Sequence, residues 1–246
     1  MKTITIAAHN RPGCLNRLLN SLREQLLPLD EWQVFIRIDA GGNKFDLVHE
    51  VAGRVDFAPL RVFWPGANVG INRNTYWLMH HAFENVGADY NVYLEDDLQL
   101  SPDAFNLVEW YITHADEIGQ DVGDVGAYCL CRLHSDGDPS EVFLSRALVG
   151  WGFLMSQHQW RRYGKPAWRK AMEPSDTLKM WDNLLANYIR SCGSDVYNAF
   201  PALSRVNNTG RLGEHFTPKK YDKLMEGHKW QRQRRTFEYR FVGVQG

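Results

Sequence analysis

The sequence lacks any long apolar segment. None of its apolar runs approaches the roughly 20 residues that a membrane-spanning helix requires. The N-terminal residues, MKTITIAAHNRPG, include an apolar stretch that is too short for a signal peptide, and polar residues follow it directly. We therefore expect a cytoplasmic protein. Its 246 residues fit one large domain, or one domain with a short appendage.

Cysteine is also scarce and shows no metal-binding spacing. The four cysteines are scattered along the chain, and only one residue separates Cys129 from Cys131. A zinc knuckle needs a wider spacing and a second pair of ligands, and the sequence contains neither. We expect reduced thiols, which agrees with a cytoplasmic location.

A large net charge is missing as well, although the charges are unevenly distributed. The 28 Lys and Arg residues nearly balance the 29 Asp and Glu residues, so the chain as a whole favours neither nucleic acid nor an acidic partner. The C-terminal part is basic and contains aromatic residues, which suits contact with an anionic membrane, a lipid-diphosphate acceptor or nucleic acid. The alternative is a solvated helix followed by an edge strand. The basic residues are Lys219, Lys220, Lys223, Lys229, Arg232, Arg234, Arg235 and Arg240.

Apolar strands alternate with amphipathic helices over the first half of the chain. This alternation predicts an α/β fold, with a mostly parallel sheet and helices on both of its faces. No repeat or low-complexity segment interrupts it, and residues 134–140 have the composition of a loop. The predicted strands are residues 3–8, 34–38, 60–64 and 91–94, and the predicted helices are residues 12–26, 71–85 and 102–117.

Polar residues follow three of the predicted strands. Arg11 and Asp39 follow the first two, and the run Glu95-Asp96-Asp97 follows the fourth. Ligands of open α/β sheets bind at the carboxyl ends of the strands, where carboxylates can hold Mg²⁺ or Mn²⁺ together with substrate phosphates. The pattern predicts a site for a metal-bound phosphate ester. Alternatively, Asp96 and Asp97 only cap a loop before the helix that begins near Pro102.

Several motifs occur in the order found in one enzyme family. The segment LEDDLQLSPDAF, residues 94–105, resembles the EDD metal motif of the N-acetylglucosaminyltransferase I family. The resemblance spans about residues 1–217 and implies a GT-A (Rossmann-like) glycosyltransferase domain. Its nucleotide-binding part would be about residues 1–100 and its acceptor part about 101–217, followed by a basic extension over 218–246. The other matching segments are residues 71–77, 150–154 with Trp160, 179–183, 201–205 and 209–213.

The sequence departs from this family at three positions. Asn183 replaces the second acid of the family's FWDD segment, Ala202 replaces the Glu of its PEISR segment, and Asn74 aligns with a family His. These changes leave the donor sugar, the acceptor and the linkage open.

The resemblance implies roles for the acid run and for Asp39. Asp97 would bind Mn²⁺ or Mg²⁺, which bridges the two phosphates of a UDP-sugar, while Glu95 and Asp96 would contact ribose or sugar hydroxyls. Asp39 would accept the N3–H of uracil and so select uridine. The alternative for Asp39 is a cap for the turn at residues 40–42.

Other donor-side residues follow from the same resemblance. Ala8, Arg11 and Asn74 would lie beside the nucleotide, and Arg205 and Arg211 would pair with its phosphates in a closing loop. His215 is a second candidate metal ligand, because many GT-A enzymes, though not clearly this family, place a late His on the metal or the phosphates; Glu214 is an equally good ligand. The alternatives are a solvated side chain for Arg11, a structural ion pair for Arg205 and Arg211, and a surface position for His215.

Asp182 is the candidate catalytic base. An inverting transferase needs a carboxylate that takes the proton from the acceptor hydroxyl. The family's Trp-Asp pair aligns with Trp181 and Asp182, and Trp181 and Trp151 would contact the acceptor sugar. Alternatively, Asp182 is an acid in the first turn of a helix, where the helix dipole favours it.

The sequence therefore predicts a metal-dependent inverting glycosyltransferase. It would transfer GlcNAc or another hexose from a UDP-sugar to a glycan or other hydroxyl acceptor. The alternatives are a transferase that acts on modified DNA or a lipid-linked acceptor, and a sugar-nucleotide-binding protein without catalysis. A sugar-nucleotide pyrophosphorylase is disfavoured, because residues 7–12 are not the Gly-rich basic loop that such an enzyme carries after its first strand.

Overall fold

The computed structural model describes residues 1–120, 122–133, 137–171, 180–211, 217–235 and 237–245. Residues 134–136 of the predicted loop lie outside these ranges. The strands are β1 (Lys2–Ala8), β2 (Trp32–Ile38), β3 (Leu60–Phe63), β4 (Tyr90–Glu95), β5 (Leu98–Leu100), β6 (Asp124–Cys129), β7 (Glu141–Ser145), β8 (Phe153–Ser156), β9 (Val196–Pro201), β10 (Val206–Asn208) and β11 (Arg240–Val244). The helices are α1 (Pro12–Arg23), α2 (Phe45–Ala52), α3 (Ile71–His80), α4 (Ala104–Thr113), α5 (Ala115–Gly119), α6 (Gln157–Gln159), α7 (Lys165–Ala171), α8 (Trp181–Ser191) and α9 (Pro218–Met225), with π-helical turns over His81–Asn85 and Trp160–Gly164.

Nine of the described strands form one sheet in the order β11-β7-β9-β6-β8-β4-β1-β2-β3. β1 lies parallel to β2 and β4, with Ile4 opposite both Val34 and Val92. β8 runs antiparallel to β4 and β6, so the sheet is mixed but mostly parallel. β5 and β10 form a separate antiparallel pair. The predicted α/β class is confirmed.

Both faces of the central strands are buried under helices. Ile36 and Leu94 belong to one apolar cluster, which includes the leucines of α1. Their chain neighbours Phe35 and Tyr93 point to the opposite face and join a second cluster with residues of α3 and α8. This alternation explains why the strands read as nearly continuous apolar runs. Within the described ranges, no helix combines the length and the apolarity needed to cross a bilayer.

The helices differ from the prediction in several places, and α1 is one of them, because it ends at Arg23 rather than at residue 26. The predicted helix over 102–117 is divided at His114 into α4 and α5. Thr113 Oγ1 donates to the carbonyls of Glu109 and Trp110 there, a local bond that competes with the backbone pattern. The predicted helix over 71–85 becomes π-helical at His81. Helix α2 was not predicted, because its eight residues are too few for a clear helical periodicity.

The C-terminal segment contacts the rest of the domain at a buried ion pair. Arg205 and Asp103 are fully buried, and Arg205 Nε donates to Asp103 Oδ2 at 2.9 Å. The Tyr239 hydroxyl donates to the same oxygen at 3.1 Å. β11 then pairs with β7 as the edge strand, whereas α9 has no buried residue. The arrangement matches a solvated helix followed by an edge strand.

We expect Tyr239→Phe to lower the free energy of unfolding by about 1 kcal/mol, because it removes one hydrogen bond to a buried carboxylate. For a chain of this length the Tm should fall by about 2–4 °C. Thermal unfolding followed by circular dichroism measures the change. Glu238→Gln, at the exposed neighbouring residue, is the control and should leave the Tm unchanged. An unchanged Tm in Tyr239→Phe would mean that this contact does not stabilise the domain.

Candidate active site

A cavity of about 500 Å³ opens at the carboxyl ends of β1, β2 and β4. Parallel strands bring their carboxyl ends to one edge, so residues far apart in the sequence meet there. Ten of the predicted site residues line the cavity: Ala8, Arg11, Asp39, Asn74, Glu95, Asp96, Asp97, Trp151, Trp181 and Asp182. The structure therefore brings the predicted donor and acceptor residues to the same cavity.

Arg11 bridges two of the three acids that follow β4. Its Nη2 donates to Asp96 Oδ1 at 2.5 Å, and its Nη1 donates to Asp97 Oδ2 at 2.7 Å. Burial opposes the charge on Arg11, but the charges of Asp96 and Asp97 outweigh it and raise its pKa, so the guanidinium stays charged. The other oxygen of Asp96 accepts the backbone N–H of His9 at 3.0 Å. Three of the four carboxylate oxygens are thus occupied.

The fourth oxygen, Asp97 Oδ1, is buried and accepts no hydrogen bond from the described residues. Most buried polar atoms have a hydrogen-bond partner, so this oxygen offers a place for a water or a cation. No group of three or more Asp, Glu, His or Cys side chains in the described part of the chain is arranged to hold a metal. The residues fit a divalent cation held by one carboxylate, with phosphate and water oxygens as its other ligands.

Gly210 packs directly against Asp97. A Cβ atom at Gly210 would lie 2.1 Å from Asp97 Oδ2, so only glycine fits here. Its neighbour Thr209 donates both its backbone N–H (2.7 Å) and its hydroxyl (2.9 Å) to the carbonyl oxygen of Asp97. The segment after β10 therefore fixes the backbone of the last acid.

Glu95 lies in a less favourable environment for a charge. Burial and the charges of Asp97 and Asp182 together raise its pKa to about 8, against the opposing charge of Arg11. Burial likewise raises the pKa of Asp96, to about 6, although Arg11 opposes this. Glu95 Oε1 accepts a hydrogen bond from Tyr93 at 3.3 Å. The acid run is thus a set of interacting carboxyls, of which Asp96 and Asp97 are buried and Glu95 is half-buried.

Asp39 organises the loop before α3. Its buried carboxylate accepts the backbone N–H groups of Val69 at 2.8 Å and Gly70 at 2.9 Å. Gly70 has a φ of 78°, a conformation that glycine adopts without strain. Asp39 therefore caps residues 69–70 rather than the predicted turn at 40–42. Each of its oxygens keeps a second lone pair that a ligand N–H can use.

Asn74 lines the cavity from the first turn of α3. Its Oδ1 accepts from Arg37 Nη1, and its Nδ2 donates to the carbonyl of Arg37, both at 3.1 Å. Burial lowers the pKa of Arg37, and the charge of Asp39 opposes this. Arg37 also lies 4.6 Å from the ring centroid of Trp77. Asn74 therefore joins α3 to β2 beside the cavity.

Asp182 lies in the first turn of α8 and also lines the cavity. The preceding residue, Trp181, donates its backbone N–H to Asn72 Oδ1 at 3.0 Å, which joins the start of α8 to the start of α3. Asp182 Oδ1 accepts the backbone N–H of Asn183 at 2.7 Å. The two interpretations of Asp182, helix-start acid and cavity residue, are therefore compatible.

The two predicted acceptor tryptophans differ in exposure. Trp151 is half-buried at the cavity. Trp181 is only 2% exposed and stacks on Trp168, with ring centroids 5.3 Å apart, while Tyr93 meets it edge-on. A ring enclosed in this way has no open face for a sugar, so its packing supports a structural role that positions Asp182.

Among the predicted residues that the structure describes, Arg205 and Arg211 do not line the cavity. Arg205 is buried and pairs with Asp103, the structural alternative for this residue. Arg211 is exposed and pairs with Asp222 through two hydrogen bonds, at 2.9 and 2.7 Å, the structural alternative for this residue. His215 lies outside the described residues.

The cavity also contains residues that the sequence did not single out. His9 is among them, and its Nδ1 lies 3.0 Å from the carbonyl of Asp39, so it connects the ends of β1 and β2. Some of these residues flank the strand ends, and the others come from the loop before α3, from the start of α8 and from β10. Only the first group has a sequence signal, its position directly after a strand. The residues concerned are His9, Asn10, Asn68, Met180, Asn183 and Asn208.

No family model and no curated protein sequence matches this chain. Its fold does match solved structures. Residues 1–349 of S. aureus TarS, in complex with UDP-GlcNAc, superpose with a TM-score of 0.59 and 15% identity over 91% of this chain and 64% of that one. Mannosyltransferase PcManGT from Pyrobaculum calidifontis, in complex with GDP-Man and Mn²⁺, gives 0.57 and 16% over 92% and 62%.

These similarities concern the fold alone, because both identities are low. The chain spans 64% and 62% of the lengths of the two solved chains. The resemblance to the N-acetylglucosaminyltransferase I family remains a prediction. The chain has the GT-A type of α/β fold that these nucleotide-sugar-bound proteins share.

Proposed function

We propose that this protein is a metal-dependent inverting glycosyltransferase that uses a UDP-sugar donor. One observation carries the proposal: Asp97, whose buried Oδ1 has no hydrogen-bond partner among the described residues, lines the same cavity as Asp182. The first supplies a place for a cation, and the second supplies a proton acceptor. The fold shared with structures that contain UDP-GlcNAc or GDP-Man and Mn²⁺ supports this assignment.

Asp97 would hold Mn²⁺ or Mg²⁺ through Oδ1, with the diphosphate of the donor as the other partner. When bound, the metal supplies a Lewis acid that neutralises the charge developing on the leaving nucleoside diphosphate. Arg11 carries a further positive charge at the same place. Glu95, when ionised, and Asp96 would accept hydrogen bonds from ribose or sugar hydroxyls.

Asp182 would act as the general base. An acceptor hydroxyl between Asp182 and the anomeric carbon loses its proton to the carboxylate as the new glycosidic bond forms and the bond to the diphosphate breaks. A single in-line displacement inverts the anomeric configuration, so an α-linked donor gives a β-glycoside. The half-buried Trp151 is the remaining aromatic candidate for contact with the acceptor.

A sugar-nucleotide-binding protein without catalysis would also need a cavity and a cation site. Binding alone does not require a carboxylate such as Asp182 beside them, so the presence of Asp182 in the cavity favours an enzyme. Transfer assays with each class of compound distinguish the alternatives. The donor sugar is GlcNAc or another hexose, and the acceptor is a glycan, a lipid-linked hydroxyl or modified DNA. Transfer from UDP-GlcNAc, with release of UDP, is the first test.

The nucleobase preference tests the donor side. Asp39→Ala removes the two hydrogen bonds that hold residues 69–70, so every nucleotide should bind more weakly. UDP should lose about tenfold more affinity than GDP, because it also loses the acceptor for the uracil N3–H.

Fluorescence or calorimetric titration of both nucleotides with Mn²⁺ measures this difference. Asp46→Ala, at an exposed acid in the first turn of α2, is the control and should change neither affinity. Equal losses for UDP and GDP in Asp39→Ala would show that Asp39 only supports the loop.

A further inference from the structure

The guanidinium of Arg11 occupies the position of a cation between the two last acids. Its hydrogen bonds of 2.5 and 2.7 Å reach one oxygen of Asp96 and one of Asp97. The side chains of the two acids are 1% and 8% exposed, whereas that of Arg11 is 31% exposed. The acids are fixed in the protein, and their cationic partner lies at the boundary with the cavity.

Among the described residues, Arg11 is the cation that contacts the carboxylates of Asp96 and Asp97. Buried carboxylates without a counter-ion are strongly disfavoured, and the backbone N–H of His9 is a weaker partner than an ion. Arg11 therefore supplies the positive charge beside Asp96 and Asp97 when no ligand is bound.

A divalent cation at Asp97 would compete with Arg11. Asp97 holds the guanidinium through Oδ2, and Oδ1 of the same carboxylate is the oxygen left for a metal. Two positive groups on one carboxylate lie only a few ångströms apart, where like charges repel by several kcal/mol at an effective dielectric constant of about 20. Arg11 in its observed position should therefore weaken metal binding.

We propose that Arg11 is an exchangeable counter-ion. It holds the acid pair while the cavity contains no donor, and it moves to the donor's diphosphate when a divalent cation binds Asp97. The inference rests on the proposed function. Arg11 directly precedes Pro12 at the start of α1, so its long side chain can reorient while its backbone stays in place.

The exchange should couple the binding of the metal to the binding of the nucleotide. Metal alone meets the competing guanidinium and binds weakly, whereas a diphosphate draws Arg11 away and adds oxygen ligands. Metal and nucleotide should therefore strengthen each other's binding by the same factor. An arginine that stayed fixed between the two acids would not contribute to this coupling.

The test is Mn²⁺ binding without nucleotide, measured by electron paramagnetic resonance of the free ion. Arg11→Ala and Arg11→Gln should bind Mn²⁺ about tenfold more tightly than the wild type, or better, because the competing charge is gone. Arg11→Lys keeps the charge and should bind as weakly as the wild type. Arg54→Ala, at an exposed arginine paired with Glu50, is the control and should change nothing.

The same variants are then titrated with UDP at saturating Mn²⁺. Arg11→Ala and Arg11→Gln should lose about tenfold in UDP affinity, since the diphosphate loses one positive partner. If Arg11→Ala does not fold, the comparison of Arg11→Gln with Arg11→Lys decides. Tighter Mn²⁺ binding in the neutral variants with weaker UDP binding supports the exchange.

Two results would overturn the inference, and they differ in what they say about function. If the neutral variants bind Mn²⁺ no more tightly than the wild type while UDP still binds with Mn²⁺, Arg11 is a fixed partner and the proposed function stands. If the wild type binds neither UDP nor GDP at any Mn²⁺ concentration, the proposed function fails and the exchange fails with it.

Discussion

Asp182→Asn should leave donor affinity nearly unchanged and reduce transfer by about 10²–10⁴-fold, the usual contribution of a positioned general base. The amide keeps the shape of the side chain and the hydrogen bond from the backbone N–H of Asn183. It cannot accept a proton from the acceptor. Steady-state transfer from UDP-GlcNAc, together with donor titration, separates the loss of turnover from a loss of binding.

A matched control makes this result specific. Asp195→Asn is the same chemical change at an exposed acid beyond the carboxyl end of α8, and it should keep wild-type transfer. Near wild-type transfer by Asp182→Asn would mean that Asp182 only begins the helix. An α-linked product from an α-linked donor would contradict the whole inverting mechanism.

The sheet could be predicted because its strands carry their own signals. β1, β2 and β4 are short runs of β-branched and aromatic residues, and each is followed by a polar residue that ends the strand. The parallel arrangement then follows from the helices between them. The predicted third strand was one residue too long, since β3 ends at Phe63 and Trp64 is exposed.

The contacts within the site were harder to predict than its members. Arg11 and Asp97 were each assigned to a ligand, but the sequence does not show that they bind each other across 86 residues. The alternative role for Asp39 was a cap for the adjacent glycine turn, whereas its backbone partners are 30 and 31 residues away. Such contacts depend on how neighbouring strand ends converge, which a linear pattern does not contain.

Burial also changes what an aromatic residue can do. Trp181 follows the family's Trp-Asp pattern, and from the sequence it was a sugar-stacking candidate. In the structure, α7 and β4 supply the rings that enclose it, Trp168 and Tyr93. Whether a tryptophan is enclosed depends on packing partners from several elements, so the sequence alone did not distinguish the two roles.

Under the proposed function, the cavity binds a nucleoside diphosphate together with a divalent cation held by Asp97. Asp97→Asn should remove the metal dependence of UDP binding, because an amide oxygen carries no charge to hold the cation. The effect should be large: we expect Mn²⁺ to strengthen UDP binding to the wild type by about a hundredfold, since it neutralises a diphosphate at contact distance. Asp46→Asn removes the same charge from an exposed position and should behave as the wild type.

Isothermal titration calorimetry with UDP, performed with Mn²⁺ and with a chelator, is the most direct measurement. The wild type should show about a hundredfold higher affinity with Mn²⁺, and Asp97→Asn should show the same weak affinity under both conditions. Equal weak binding with the chelator by both proteins would confirm that the variant keeps its cavity. Undiminished Mn²⁺-dependent UDP affinity in Asp97→Asn, or a wild-type affinity that does not change with Mn²⁺, would contradict the assignment of Asp97 as the metal ligand.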